Sequence, residues 1–233
     1  RSTPSAPMSC QRLIALLLVP LASLLAADAP RPNIILIVAD DLGYGSLGSY
    51  GHEKVKTPHI DRLAASGARL TDFHSNGAMC TPTRAALMTG RYQQRCAWVP
   101  DEELTPLSRE QRRLNPKQRW AWGVSAHEVM LPTVLGRAGY RTALIGKWHL
   151  GMNWVDGKPG SEKQVPLGAR MTGGPNALGF DHFYGFTHAR NIGTIIEQDR
   201  VVAHVEPVEN QPLMAKKAVE WIDQQKPGKP FFL

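Results

Sequence analysis

The stretch Ile34-Ile35-Leu36-Ile37-Val38-Ala39-Asp40-Asp41-Leu42-Gly43 decides how the rest of the chain is read. An unbroken aliphatic run, introduced by Pro32-Asn33 and closed by a Gly-containing turn, shows no polar alternation. That pattern predicts a strand buried on both faces, as in a parallel sheet. Outward from it, Thr57-Pro58 ahead of His59-Ile60-Asp61-Arg62-Leu63-Ala64-Ala65, with Gly67 beyond, predicts a helix with Thr at the N-cap and Pro at the first position. Residues 68–74 alternate and predict a second strand. Residues 82–88 predict a helix closed by Gly90. Another spans 131–138 and stops at Gly139. Residues 140–145 predict a third buried strand, running into Gly146. Apolar spacing of Leu213, Met214, Ala218, Trp221 and Ile222 predicts an amphipathic helix over 213–225, ended by Pro227-Gly228. Residues 230–233 open a further strand. The polar segment 99–128, with Arg109, Arg112, Arg113 and Lys117, has no period and reads as a loop or insertion. Residues 152–179 read as Gly/Pro-rich loop. Strands alternating with helices imply an α/β fold with a central, mostly parallel sheet flanked by helices.

Composition agrees with a globular chain: 233 residues, 42% apolar, 20% charged. Gly and Pro are spread without a period, which excludes collagen-like and solenoid architectures. A formal charge of +7 suits an anionic substrate. Basic residues are scattered and not interleaved with aromatics, so nucleic acid is not an expected partner. From Met8, a short segment with Arg12 leads into an apolar run over 13–25 and then small residues, the layout of a secretory signal peptide, with cleavage expected after Ala27. The seven residues before Met8 read as translated upstream sequence. The run is shorter than the roughly 20 apolar residues of a membrane span, so no stable membrane anchor is expected, an uncleaved anchor being the alternative. The expected division is 1–29 for upstream residues plus signal peptide and 30–233 for the mature part, exported to the periplasm or secreted. Cys10 leaves with the leader. Cys80 and Cys96 then face an oxidising compartment, where a disulfide is the default expectation.

Three segments carry chemistry. Asp40-Asp41 follows the first strand, at the carboxyl end where open α/β sheets bind ligands. Paired carboxylates suit a hard divalent cation; taken alone, an Asp pair is more often a solvated strand-end turn. Cys80 precedes Pro82 at a helix start, where free N–H groups and the helix dipole favour an anion. Arg84 lies one turn on, with a guanidinium suited to oxyanions. Lys147 and His149 alternate after the 140–145 strand and point to one face.

Met79-Cys80-Thr81-Pro82-Thr83-Arg84, followed by Thr89-Gly90-Arg91, resembles the signature of the formylglycine-dependent sulfatases, of the alkaline phosphatase superfamily. Thr83 stands where that family usually has Ser or Ala. Gly146-Lys147-Trp148-His149-Leu150-Gly151 is similar to a second segment of the same family. Pro32-Asn33 before the Asp pair and Gly179-Phe180-Asp181-His182-Phe183-Tyr184-Gly185 keep the family's order, so the resemblance covers nearly all of residues 31–233. It implies an arylsulfatase-like sulfuric ester hydrolase acting on a sulfated small molecule or glycan. Cys80 would be oxidised by a formylglycine-generating enzyme and hydrated to a gem-diol, the nucleophile. Asp40, Asp41 and the group derived from Cys80 would bind Ca²⁺, with Mg²⁺ as the alternative. Arg84 would hold the diol, Lys147 would bridge diol and sulfate, and His149 would assist at either. The family's remaining metal ligands, a further His and a further Lys are expected beyond Leu233. The chain is accordingly expected to be the N-terminal portion of the catalytic domain, inactive by itself. His188 is the one other histidine marked as a sulfate contact. Trp98, Trp120 and Trp122 read as packing or a cleft wall. Rival readings are a phosphonate monoester or phosphodiester hydrolase of the same superfamily, and an inactive binder of sulfated glycans with Cys80 unmodified or joined to Cys96.

Overall fold

The computed structural model describes residues 30–96, 98–99, 123–155 and 165–233. The expected signal peptide, Cys10, Trp120, Trp122 and most of the 99–128 insertion lie outside the described residues, as does the side chain of Trp98. Contacts divide the chain into Arg1–Pro32 and Asn33–Leu233, and the second unit carries the fold. In chain order its elements are α1 (Pro58–Ser66), α2 (Cys80–Thr89), β1 (Trp98–Val99), β2 (Gly123–Val124), α3 (Leu131–Arg137), β3 (Arg141–Lys147), β4 (Met152–Trp154), β5 (Met171–Gly173), α4 (Gly174–Ala177), β6 (His182–Phe186), β7 (Thr194–Glu197), β8 (Arg200–His204), α5 (Pro207–Asp223) and β9 (Phe231–Phe232).

Five strands form one sheet in the order β8-β7-β6-β3-β9. β3 runs parallel to both neighbours, with Ala143 opposite His182 and Arg141 opposite Phe231. β7 and β8 extend the sheet as an antiparallel meander. The result is an α/β sheet, parallel around β3 and antiparallel at the β8 edge. Gly146 and Gly185 are register partners. A Cβ on Gly185 would overlap the Gly146 carbonyl, so the two strands can approach this closely only without side chains there.

The main core joins Trp148, Leu150, Phe180, Phe183, Ile196 and Phe232. A second cluster sets Tyr184 and Phe186 of β6 against Met214 of α5, and a third sets Ala143 and Phe231 against Trp221. Helix α5 starts six residues earlier than the apolar spacing suggests. A reciprocal capping box between Glu206 and Glu209, with Pro at the first turn, fixes that start. Pro212 lies within the helix; the carbonyl it leaves unbonded belongs to Val208, on the exposed first turn.

Three local expectations change. The 34–39 run pairs with β9 along its inner end: Ile34 N–H donates to the Phe231 carbonyl and Leu36 N–H to the Leu233 carbonyl, both at 2.8 Å. Ile34 packs against the main core, but residues 35–39 are exposed, Ile37 to 83%. Among the described residues this run is the outermost member of the sheet, beside β9. Residues 68–74 form no strand, and Leu70 and Phe73 are exposed. Within the expected loop 152–179, β4 and β5 pair as an antiparallel ladder, with Asn153 opposite Thr172.

Candidate active site

The site is built where β3 ends, beside the start of α2. Cys80 is the first residue of α2, which starts two residues earlier than the sequence predicts, because Met79 takes the N-cap with an extended backbone. Cys80 therefore sits among N–H groups that no preceding carbonyl can satisfy. Thr83 anchors the approach: its hydroxyl donates to the Gly77 carbonyl at 2.9 Å. At the far end Gly90 adopts φ +66° and returns its N–H to Ala86, a left-handed cap.

Arg84, one turn into α2, donates Nη1 to the Lys147 carbonyl at 2.7 Å, tying the helix to the end of β3. Its Nη2 lies 3.6 Å from Asp40 Oδ1. Lys147 is buried, and its Nζ donates to Asp40 Oδ2 at 2.7 Å. One carboxylate is thus held between two cations. Burial raises the Asp40 pKa, but the hydrogen bond and charge of Lys147 and the charge of Arg84 outweigh it and leave the carboxyl below its ordinary range.

Asp41 takes φ +57°, a left-handed conformation that Asp tolerates better than most residues. One carboxylate oxygen from each of Asp40 and Asp41 and the sulfur of Cys80 lie within 4.8 Å of one another. Two hard oxygen donors at that spacing on an accessible turn fit a divalent cation.

His149 lies two residues past Lys147, with the buried Trp148 between them facing the core. Its backbone is also left-handed, at φ +61°. Its N–H donates to the Thr187 carbonyl at 2.8 Å, and its ring lies 5.6 Å from the ring of His188. Burial, then the charges of Lys147, His188 and Arg84, lower its pKa to about 4, so the ring is neutral at pH 7. Cys80 and Cys96 are both free thiols, Cys96 buried against the Thr89 hydroxyl at 3.3 Å.

The structure therefore brings Asp40, Asp41, Cys80, Arg84 and Lys147 together and sets His149 beside them with His188. Sequence reading passed over Thr187 and Asn191, whose side chains are buried behind His149. No motif marks them; a Thr and an Asn in a short turn become visible only through what they bond.

The sulfatase family model matches residues 32–233. The chain belongs to the sulfatase family. It is 43% identical to arylsulfatase A of Bos taurus over 173 residues, which is 74% of this chain and 28% of that protein. It is 38% identical to the steryl-sulfatase of Rattus norvegicus over 174 residues, 74% of this chain and 27% of that one. The chain thus spans less than a third of the length of these curated sulfatases. Among solved structures, the crystal structure of Ps i-CgsB in complex with k-i-k-neocarrahexaose superposes with a TM-score of 0.61 at 28% identity, covering 87% of this chain and 44% of that one. No helix among the described residues is long and apolar enough to cross a membrane.

Proposed function

We propose that the sulfatase whose N-terminal portion this chain supplies hydrolyses sulfate esters with formylglycine made from Cys80 as the nucleophile. The observation that carries the reading is the convergence of Arg84, Lys147 and the Asp pair on the start of α2, where Cys80 stands. Hydrated formylglycine has two hydroxyls on one carbon. One attacks sulfur while the ester alcohol leaves with its bonding pair and takes up a proton. The second hydroxyl then loses its proton, its electrons re-form the aldehyde, and sulfate departs with the C–O bonding pair. A plain thiol or hydroxyl at residue 80 offers no such second step.

Lys147 and Arg84 supply fixed positive charge where the sulfate oxygens gather negative charge. The neutral imidazole of His149 suits a proton acceptor, and a protonated one would not. Asp40, Asp41 and the Cys80-derived oxygen would hold a divalent cation, Ca²⁺ as the first choice and Mg²⁺ as the alternative, which when bound offsets sulfate charge. Substrates are a sulfated small molecule or a sulfated glycan. The glycan option draws support from the carrageenan oligosaccharide named with Ps i-CgsB.

Peptide mass spectrometry over residues 69–91, on protein from a host competent for the conversion, tests this reading. An aldehyde or its hydrate at Cys80, together with Ca²⁺-dependent thermal stabilisation lost in Asp40→Asn, is the expected result. An unmodified thiol or a Cys80–Cys96 cross-link overturns it in favour of a non-hydrolytic glycan binder.

A further inference from the structure

Asn191 is a buried amide, 2% exposed, that is only half satisfied. Its Nδ2 donates to Thr187 Oγ1 at 3.2 Å, and its backbone N–H donates to the His188 carbonyl at 2.9 Å. Its Oδ1 is buried with no partner among the described residues. An unpaired buried acceptor works against stability, so stability gives no reason for a polar residue here.

What Asn191 holds gives that reason. Thr187, pinned through its hydroxyl, presents the carbonyl that accepts the His149 N–H at 2.8 Å. His149 adopts a left-handed backbone that a non-glycine residue keeps only when its surroundings enforce it. The His149 Nδ1 is itself buried without a partner among the described residues, so no bond to that nitrogen orients the ring. The tight turn Ala189–Asn191 that Asn191 completes also fixes His188, whose Nδ1 accepts the Arg190 N–H at 3.1 Å and whose ring flanks that of His149. We propose that Asn191 is a positioning residue that, through Thr187 and this turn, holds the His149 imidazole in place. The role assigned to His149 rests on the sulfatase reading above; the hold on its ring does not.

The experiment follows the His149 ring resonance by NMR, assigned by its loss in His149→Gln, alongside thermal melting, with aryl-sulfate turnover read on the converted full-length protein. Asn191→Ala should shift the His149 resonance while moving the melting temperature by only about 2–3 °C. It should lower kcat about tenfold or more with KM within about twofold, since small misplacements are costly. Thr187→Val should give the same resonance shift, and adding Asn191→Ala to it should add little. An unchanged His149 resonance in either variant, or fully additive shifts, overturns the proposal; if Asn191→Ala does not fold, Thr187→Val decides it. If the full-length parent, converted at Cys80, turns over no sulfate ester, the sulfatase reading fails, while the NMR comparison still decides the positioning role.

Discussion

Asp40 carries the most consequential local arrangement, a half-exposed carboxylate gripped at 2.7 Å by a buried lysine. Removing Lys147 leaves that carboxylate with the Arg84 guanidinium, at 3.6 Å, and the Cys80 side chain. Lys147→Ala should therefore raise the Asp40 pKa toward the ordinary carboxylate value, read by carboxyl-carbon NMR, and lower sulfate-ester turnover of the full-length enzyme by about 10²–10³. An unmoved Asp40 titration would show that the pair does not set its charge. His149 titrates in the opposite sense to a histidine that gains an acidic partner. Its folded pKa of about 4 lies below the unfolded value of 6.5, so the unfolded chain binds the extra proton between them. Its contribution to stability is complete above pH 6.5 and is lost as pH falls toward 4. In urea melts, His149→Gln should lose less stability than the parent over that window; equal losses would contradict the assignment.

At the level of elements, the contact between β3 and β6 sets the position of the site, because β3 ends in Lys147 and β6 leads directly into Thr187 and His188. The glycine pair Gly146–Gly185 lets them approach. Gly185→Ala forces a methyl group into the Gly146 carbonyl and should cost about 2 kcal/mol or more by urea denaturation. Gly136, in α3, has open space where a Cβ would go, so Gly136→Ala should be neutral or stabilise by up to about 1 kcal/mol. Equal effects of the two changes would mean that close strand approach is not what Gly185 provides. The N-terminal half of helix α2 is held twice, by the Thr83 hydroxyl on Gly77 and by Arg84 on the Lys147 carbonyl. Thr83, a departure from the family's usual Ser or Ala, thus has a local structural use.

Across the molecule, an aromatic path links the site segment to the sheet. Trp148 meets Phe180 edge-on at 6.4 Å, Phe180 stacks on Phe232 at 6.2 Å, and the Trp148 indole N–H donates to the Gly151 carbonyl at 2.7 Å. Trp148→Ala should cost about 3–5 kcal/mol and loosen Lys147 and His149 on either side of it; a loss below about 1 kcal/mol would place the core elsewhere. The sequence by itself determined the α/β class, α1, α2 and β3 to within a few residues, and the charged groups of the site. Those features are local: apolar runs, Pro at helix starts, Gly at their ends, and short motifs with fixed spacing. It missed β6, β7 and β8 as strands, although β7 and β8 pair across a two-residue connection, and took 34–39 as fully covered, because overlying layers come from distant chain. Tertiary structure alone decided that Lys147 reaches Asp40 across 107 residues, that His149 is neutral, and that Asn191 stands behind it. Charge pairing, burial and backbone strain depend on which surfaces meet, and no single segment encodes that.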